Sequence, residues 1–424
     1  MMKVFSPQDF SVFIGIDWAD KKHDICEFSQ GKQCYDLSVI TSKPEAIDAW
    51  ANDLKQRYPN QRIAVACELK KGPLIYALSK YEHLTLFPIN PTTVAKYRKA
   101  FTHSGAKDDP SDAKIQTEIL QKHMHKLRVL EPESPVLRAL AQLVENRRKL
   151  IQDRVRLTNK ITASLKNYYP QAIDWFKEKH TVIFIDFIQK WPDLRSVQRA
   201  RESTLTSFFH SHHVRYNETI EKRIKAIKTA HPLTHDVGVI EPNQLLVKGL
   251  VLQLKSLIET ISEHDKEIKQ RYKQCTDHVI FDSFPGAGPV FAPRLLTAFG
   301  ENRNRYKNAS EMQRYAGIAP VLERSGKKSW THWRYSCPKF MRQSFVEWAG
   351  ETVRYSFWAK AYYEQEKAKG KPHQTIIRCL AFKWIRIIYR CWESKKTYDE
   401  STYLNALKKR NSPLLQYAIS NEKS

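Results

Sequence analysis

The chain has 424 residues, a length that sets a prior of about three domains, and 42% of them are hydrophobic, enough for real cores and too many for a disordered tail protein or a disulfide-stapled miniprotein. Lys and Arg number 70 against 45 Asp and Glu, a formal charge of +25, which points to a polyanionic partner, either nucleic acid or an anionic membrane surface. No run approaches ~20 apolar residues and residues 1–10 lack the basic-then-apolar layout of a secretion signal, so no membrane partner is expected and nucleic acid leads.

Residues 11–18 predict a buried strand ending in an acid, Asp17. Residues 24–29 and 34–40 read as two more short strands joined by a turn at Gly31. Pro44 opens a helix whose apolar positions Ile47, Trp50, Ala51 and Leu54 follow helical spacing. A fourth strand covers 62–67, with Glu68 next. A short helix from Pro73, a fifth strand over 84–88 and a helix from Pro91 complete the run. Three strands followed by helix–strand–helix–strand–helix predict an α/β domain over 1–130: a mixed sheet covered by helices.

From residue 134 the period changes. Val136, Leu140, Leu143, Leu150, Leu157 and Ile161 recur at three- and four-residue spacing, and so do Val247, Leu250, Leu254, Leu257, Ile261 and Ile268. Two long helices follow, as a coiled coil or long hairpin, with two ordinary bundle helices as the alternative. Arg147 and Arg154 occupy seam positions. This helical region spans 131–275, with short helices across 171–243. His210, His212 and His213 could suggest a metal, but no Cys lies near them and a solvated or phosphate-facing loop is favoured. The chain's seven cysteines are odd in number and show no C-x-x-C spacing, which fits a reducing cytoplasm and neither a zinc site nor a disulfide framework.

The last region, 276–424, reads as basic, aromatic-rich and helical. Residues 303–342 hold ten Lys or Arg, among them Arg303, Arg305, Lys307, Arg324, Lys327, Lys328 and Arg334, against Glu311 and Glu323 alone. Tyr306, Tyr315, Trp330, Trp333 and Tyr335 are interleaved. Cations alternating with aromatics suit phosphate contacts with stacking on unpaired bases; a solvated basic face is the plainer reading. Gly286 and Gly288, in a Pro-Gly-x-Gly-Pro turn before a helix, could admit a phosphate to backbone N–H groups, or simply connect two helices.

The acids converge on one chemistry. Asp17 and Glu68 follow two strands at their carboxyl ends, where ligands of α/β sheets collect. Asp109 and Asp112 lie three apart at a helix start, on one face. Such carboxylates suit a hard cation and phosphate oxygens. The helix start also has a plain reading, with Asp109 as N-cap and Pro110 in the first turn.

Asp17 in Ile-Gly-Ile-Asp-Trp, Glu68 in Ala-Cys-Glu and the Lys-x-Asp-x-x-Asp-Ala string at 107–113 resemble the DEDD transposases of insertion sequences. The resemblance continues through Pro-Gly-x-Gly-Pro, Tyr-Ala-Gly-Ile-Ala-Pro at 315–320 and Arg-Ser-Gly-Lys at 324–327, which are similar to the C-terminal transposase domain of that family. It implies an N-terminal RuvC-like (RNase H-type) nuclease domain in which Asp17, Glu68, Asp109 and Asp112 bind Mg²⁺. It implies a serine nucleophile, Ser325, with Ser329 and Ser336 nearby. It further implies recombination of donor and target DNA guided by a structured noncoding bridge RNA. The implied assembly is a tetramer of two dimers, with the active site composed from two subunits, in the cytoplasm on the nucleoid. An RNA guide would delegate specificity to base pairing, consistent with a charge of +25 and no evident sequence-reading module. The competing functions are a metal-dependent RuvC-like endonuclease or junction resolvase without a covalent intermediate, and a non-catalytic RNA-binding protein.

Overall fold

The computed structural model describes residues 5–68, 71–101 and 109–415, with Asp109 described by its backbone alone. The chain forms two compact units, residues 1–132 and 133–424.

In the first unit, β1 (Val12–Trp18), β2 (Lys22–Ser29), β3 (Tyr35–Thr41), β4 (Ile63–Cys67) and β5 (Leu84–Pro88) form one sheet in the order β3-β2-β1-β4-β5. β1, β2 and β3 pair antiparallel, as their short connections require; β1–β4 and β4–β5 are parallel and need helical crossovers. Those crossovers are α1 (Pro44–Arg57) and α2 (Pro73–Leu78), and α3 (Pro91–Phe101) and α4 (Asp109–His123) follow β5. β4 reads Ile-Ala-Val-Ala-Cys and is wholly buried, as expected of a central strand covered on both faces. Alternation divides the cores. Ile14, Ile16, Ile63 and Val65 pack with Ile47 and Leu54 of α1, while Phe13, Ala64 and Ala66 pack with Val94 of α3 and Ile119 and Leu120 of α4.

In the second unit, α5 (Pro135–Leu165) starts at Ser134, whose Oγ accepts from the Leu137 N–H at 3.2 Å, with Pro135 in the first turn. It packs along α11 (Val237–Gln274). Ser164 bonds Asn243 at 2.8 Å and Arg147 pairs with Asp265, so the two run antiparallel as a long hairpin. The seam arginine is thus met by an acid of the facing helix. Between them come α6 (Gln171–Trp175), α7 (Val182–Lys190), α8 (Leu194–Arg199), α9 (Glu202–Ser211) and α10 (Asn217–Thr229), which share one core with the α5 and α11 ends near Ile161 and Val247. His212 bonds Asp186 at 3.0 Å through Nε2 and the Phe208 carbonyl through Nδ1. It serves the packing of α9 on α7.

After α11 come α12 (His278–Asp282), α13 (Gly288–Phe299), α14 (Ala309–Tyr315), a hairpin of β6 (Val321–Ser325) and β7 (Lys328–His332), then α15 (Lys339–Tyr355), α16 (Phe357–Ala368), α17 (His373–Ser394) and α18 (Glu400–Lys409). Trp348, Trp358, Trp384 and Trp392 are fully buried in the core these helices share with the base of the α5/α11 hairpin. The sequence predicts helix across this region, and β6–β7 corrects that. Among the described residues no helix is long and apolar enough to cross a membrane.

Candidate active site

The parallel register of β1 and β4 places Ile16 beside Cys67, so the next position along brings Asp17, still within β1, level with Glu68, which follows β4. Asp17 shares the face of Phe13, and Glu68 continues the face of Ala64 and Ala66, the side of the sheet that α3 and α4 cover. Gly15 fixes how closely α4 lies there. A Cβ on Gly15 would sit 2.0 Å from the Ala113 carbonyl oxygen and 2.7 Å from the Thr117 nitrogen. The helix backbone therefore rests directly on β1, and the Thr117 hydroxyl lies 2.9 Å from the Cys26 carbonyl of β2, tying α4 to the next strand. The carbonyl that meets Gly15 belongs to the residue after Asp112. This contact carries the acid-bearing end of α4 toward the strand that holds Asp17.

Asp112 is buried, and Arg98 of α3 binds it: Nε donates to Oδ1 at 2.8 Å and a second guanidinium N–H reaches the same oxygen. Asp109 is the first residue of α4, one step inside the N-cap position assigned from sequence, and its side chain lies outside the described residues, as do Lys107 and Asp108. Sequence reasoning missed Arg98 and also Asp24, a buried acid cross-strand from Asp17 that pairs with Lys22 at 3.1 Å. The donor set offered by Asp17, Glu68 and Asp112 is all carboxylate oxygen, which fits a hard divalent cation rather than a soft one. Among the described residues no three His, Cys, Asp or Glu are already gathered as a metal cluster.

Ser325 closes β6, and Ser325 pairs directly with Lys328 across the two-residue turn Gly326-Lys327. Gly326 has φ +56°, the conformation that glycine supplies at the first position of a tight hairpin turn. The alternation sorts this hairpin. Glu323, Ser325, Lys328, Trp330 and His332 share one face; Arg324 and Ser329 share the other. On Ser325's face, Glu323 accepts from the Trp330 indole N–H at 3.0 Å and pairs with His332 Nε2 at 2.7 Å. That bond raises the His332 pKa and lowers that of Glu323. Residues 322–330 are exposed.

The expected basic surface needs correction at two arginines. Arg303 binds both oxygens of Asp277 and lies 5.0 Å over the Trp392 ring. Arg305 pairs with Glu133 at 3.0 Å. Their charges are met inside the unit, so they serve the fold. Tyr306 is buried and donates to the Ala298 carbonyl, which removes it from any stacking surface. Lys307, Arg324, Lys327, Lys328 and Trp330 remain exposed, while Trp333 and Arg334 are half-buried and Arg334 Nε bonds the Ala319 carbonyl.

Residues 14–170 match the sequence profile of the IS110-type DEDD transposase, and residues 279–364 match that of the IS116/IS110/IS902 transposase family. The chain belongs to the IS110/IS116 family of insertion-sequence transposases. It is 27% identical to a putative transposase of the mini-circle IS117 from Streptomyces coelicolor, over 96% of this chain and 98% of that one. It is 25% identical to an uncharacterized protein of insertion element IS116 from Streptomyces clavuligerus, over 91% of this chain and 96% of that one. The enzyme is therefore a DNA-cutting and rejoining one, and its DEDD domain points to a divalent metal.

The second matched segment of this transposase contains Gly286 and Gly288, at φ +65° and +48°, in a loop whose Pro285 carbonyl accepts from the Trp348 indole N–H at 3.1 Å. Pro289 and Val290, which follow the loop, line a cavity of about 110 Å³ with Arg147, Arg148, Arg294 and Glu347. Arg148 Nε is buried there with no hydrogen-bond partner, and burial lowers the Arg294 pKa, against the opposing pull of Glu347. The glycine loop thus stands beside three arginines that no spacing in the sequence connects.

Proposed function

We propose that this transposase is an RNA-guided, site-specific DNA recombinase that cuts and rejoins DNA through a phosphoserine link at Ser325. The reading rests above all on Ser325's place at the tip of an exposed hairpin, directly paired with Lys328 and flanked by Arg324 and Lys327. A serine hydroxyl is a weak nucleophile at neutral pH, and nearby cations stabilise the charge that develops on the phosphate. The serine Oγ bonds to phosphorus as the bridging P–O bond of the DNA breaks. The serine proton leaves to a base, and the departing oxygen, which takes the electron pair, is protonated. Bond number is conserved, so the reverse attack by a DNA hydroxyl rejoins strands without an external energy source.

Residues 1–130 take the RuvC-like nuclease role, residues 131–275 the helical link and residues 276–424 the transposase role. The strand order β3-β2-β1-β4-β5 with antiparallel β2 supports an RNase H-type assignment. Asp17, Glu68, Asp109 and Asp112 would hold Mg²⁺, which when bound polarises phosphate oxygens. The tip of the hairpin carries cations for the backbones of donor DNA, target DNA and a bridge RNA. A homodimer assembling to a tetramer would combine the acids of one subunit with the serine of another.

The test is denaturing electrophoresis of end-labelled DNA after incubation with protein, guide RNA and Mg²⁺. The wild type is expected to yield a protein-linked band that Ser325→Ala abolishes while DNA and RNA binding persist. Cutting with no linked band in the wild type would favour a water-using RuvC-like nuclease, the reading that the acids alone support.

A further inference from the structure

A cavity of about 480 Å³ lies at the foot of the β6–β7 hairpin. Trp333, Tyr335, Lys339, Arg342 and Arg378 line it, and none of its lining residues is acidic. The guanidiniums of Arg342 and Arg378 stand 4.7 and 4.4 Å from the Trp333 ring centroid. Each is also tethered by one backbone acceptor: Arg342 donates to the Arg334 carbonyl at 3.0 Å, and Arg378 Nε to the Gln374 carbonyl at 3.0 Å. Trp333 therefore acts as a plate that orients two cations, and its own ring is engaged by them. Tyr335 is 76% exposed at the same cavity. Three cations without a counter-carboxylate favour an anion; an exposed tyrosine ring favours a flat apolar group. The volume suits a group of nucleotide size.

We infer that this cavity receives one unpaired nucleotide of DNA, its phosphate on Arg342, Arg378 and Lys339 and its base on Tyr335. A base inside a duplex has both faces covered by its stacked neighbours, so the pocket selects an unstacked one. The choice of DNA over RNA rests on the reading of Ser325 as the nucleophile toward DNA. Trp333 follows β7 directly in the chain, so the pocket and the serine hairpin are built from one continuous segment. An extruded nucleotide held there would fix the position of the strand relative to the hairpin, with no demand on base identity.

The experiment measures equilibrium binding of the full chain in EDTA, without chemistry, to a fluorescein-labelled DNA duplex carrying one bulged nucleotide. The matched fully paired DNA duplex and the same bulge in RNA serve as comparisons. The wild type is expected to favour bulged over paired DNA by ~10-fold, the scale of one stacked base. Tyr335→Ala should reduce that preference to about one, and Tyr335→Phe should retain it. Arg342→Ala with Arg378→Ala should weaken binding of the bulged duplex more than that of the paired one. Equal affinity for the two DNA duplexes in the wild type overturns the proposal, as does a preference unchanged in Tyr335→Ala. Tighter binding of the RNA bulge overturns the assignment to DNA. Serine-linked adducts scored separately with Mg²⁺ keep the two readings apart: adducts without a bulge preference remove the pocket alone, and a bulge preference without adducts removes the nucleophile alone.

Discussion

Arg98 directs two N–H groups at one oxygen of Asp112, Oδ1, and not one at each oxygen in the usual fork. The carboxylate is thereby held in orientation while Oδ2 is left outside the pair. Both side chains are largely buried, at 16% and 4% exposure. Removing one partner leaves a buried charge uncompensated, so Arg98→Leu should destabilise the N-terminal unit by about 3–5 kcal/mol. Urea unfolding of the full chain, with hydrogen exchange reporting on α4, measures it. A stability within about 0.5 kcal/mol of wild type would show the pair to be incidental.

Gly15→Ala tests the seat of α4. Its Cβ would meet helix backbone, which cannot swing aside as a side chain could. The cost expected is about 3 kcal/mol, the upper part of the range for overpacking. Recombination should fall further than stability alone explains, because Asp112 and Asp109 ride on the displaced helix. Thermal melts beside strand-exchange assays separate the two effects.

The acids should behave as a unit. Asp17→Asn, Glu68→Gln and Asp109→Asn are each expected to abolish strand exchange while circular dichroism stays that of the wild type; Asp112→Asn should abolish it too, with a loss of stability from the broken Arg98 pair. Full activity in Asp17→Asn would end the nuclease-site reading.

On the hairpin, Ser329→Ala should leave covalent adducts unchanged, since residue 329 faces away from the side that bears Ser325. Lys328→Ala should lower the slope of log affinity against log salt by about 0.9, one phosphate's worth, without changing stability. Arg303→Ala should do the reverse: lower stability through the orphaned Asp277 and leave the slope alone.

The Glu323–His332 pair gives the hairpin a pH window. His332 has its pKa raised above 6.5 by Glu323, so its contribution is full below 6.5 and is lost as pH climbs through the raised value. Glu323 has its pKa lowered beneath 4.5 by His332, so its contribution is full above 4.5 and is lost as pH falls through the lowered value. Hairpin order, read from histidine and tryptophan resonances in NMR, should be greatest between those limits. Glu323→Gln should return the His332 midpoint toward 6.5.

The sheet was legible because short apolar runs mark its strands, and Pro44, Pro73 and Pro91 its helix starts. The neighbouring strand ends of Asp17 and Glu68 followed from the same pattern. The hairpin was not legible, because Glu-Arg-Ser and Lys-Ser-Trp resemble any basic loop until the two-residue turn at Gly326-Lys327 pairs them. The roles of Arg303 and Arg305 depend on Asp277 and Glu133, partners that sequence distance conceals. Gly15 reads as one more strand residue; only the helix above it reveals why it has no side chain. Arg378 reaches the Trp333 cavity from α17, a helix whose pattern announces nothing but core.

The α5/α11 hairpin joins two cores without being part of a continuous one. Between Val144 and Ile161, α5 buries no residue, and its Arg147 faces Asp265 instead. The base shares the tryptophan-rich core, and the far end shares the core of α6–α10. On the facing helix, Ile261 is the one buried residue between the two cores, and cooperativity weakens where apolar contact thins. The far end can therefore melt and refold while the base stays native, and a substitution in one core should leave the exchange rates of the other untouched. The two helices transmit position along their length but hardly any folding free energy, as a drive shaft carries rotation between housings that are bolted down separately.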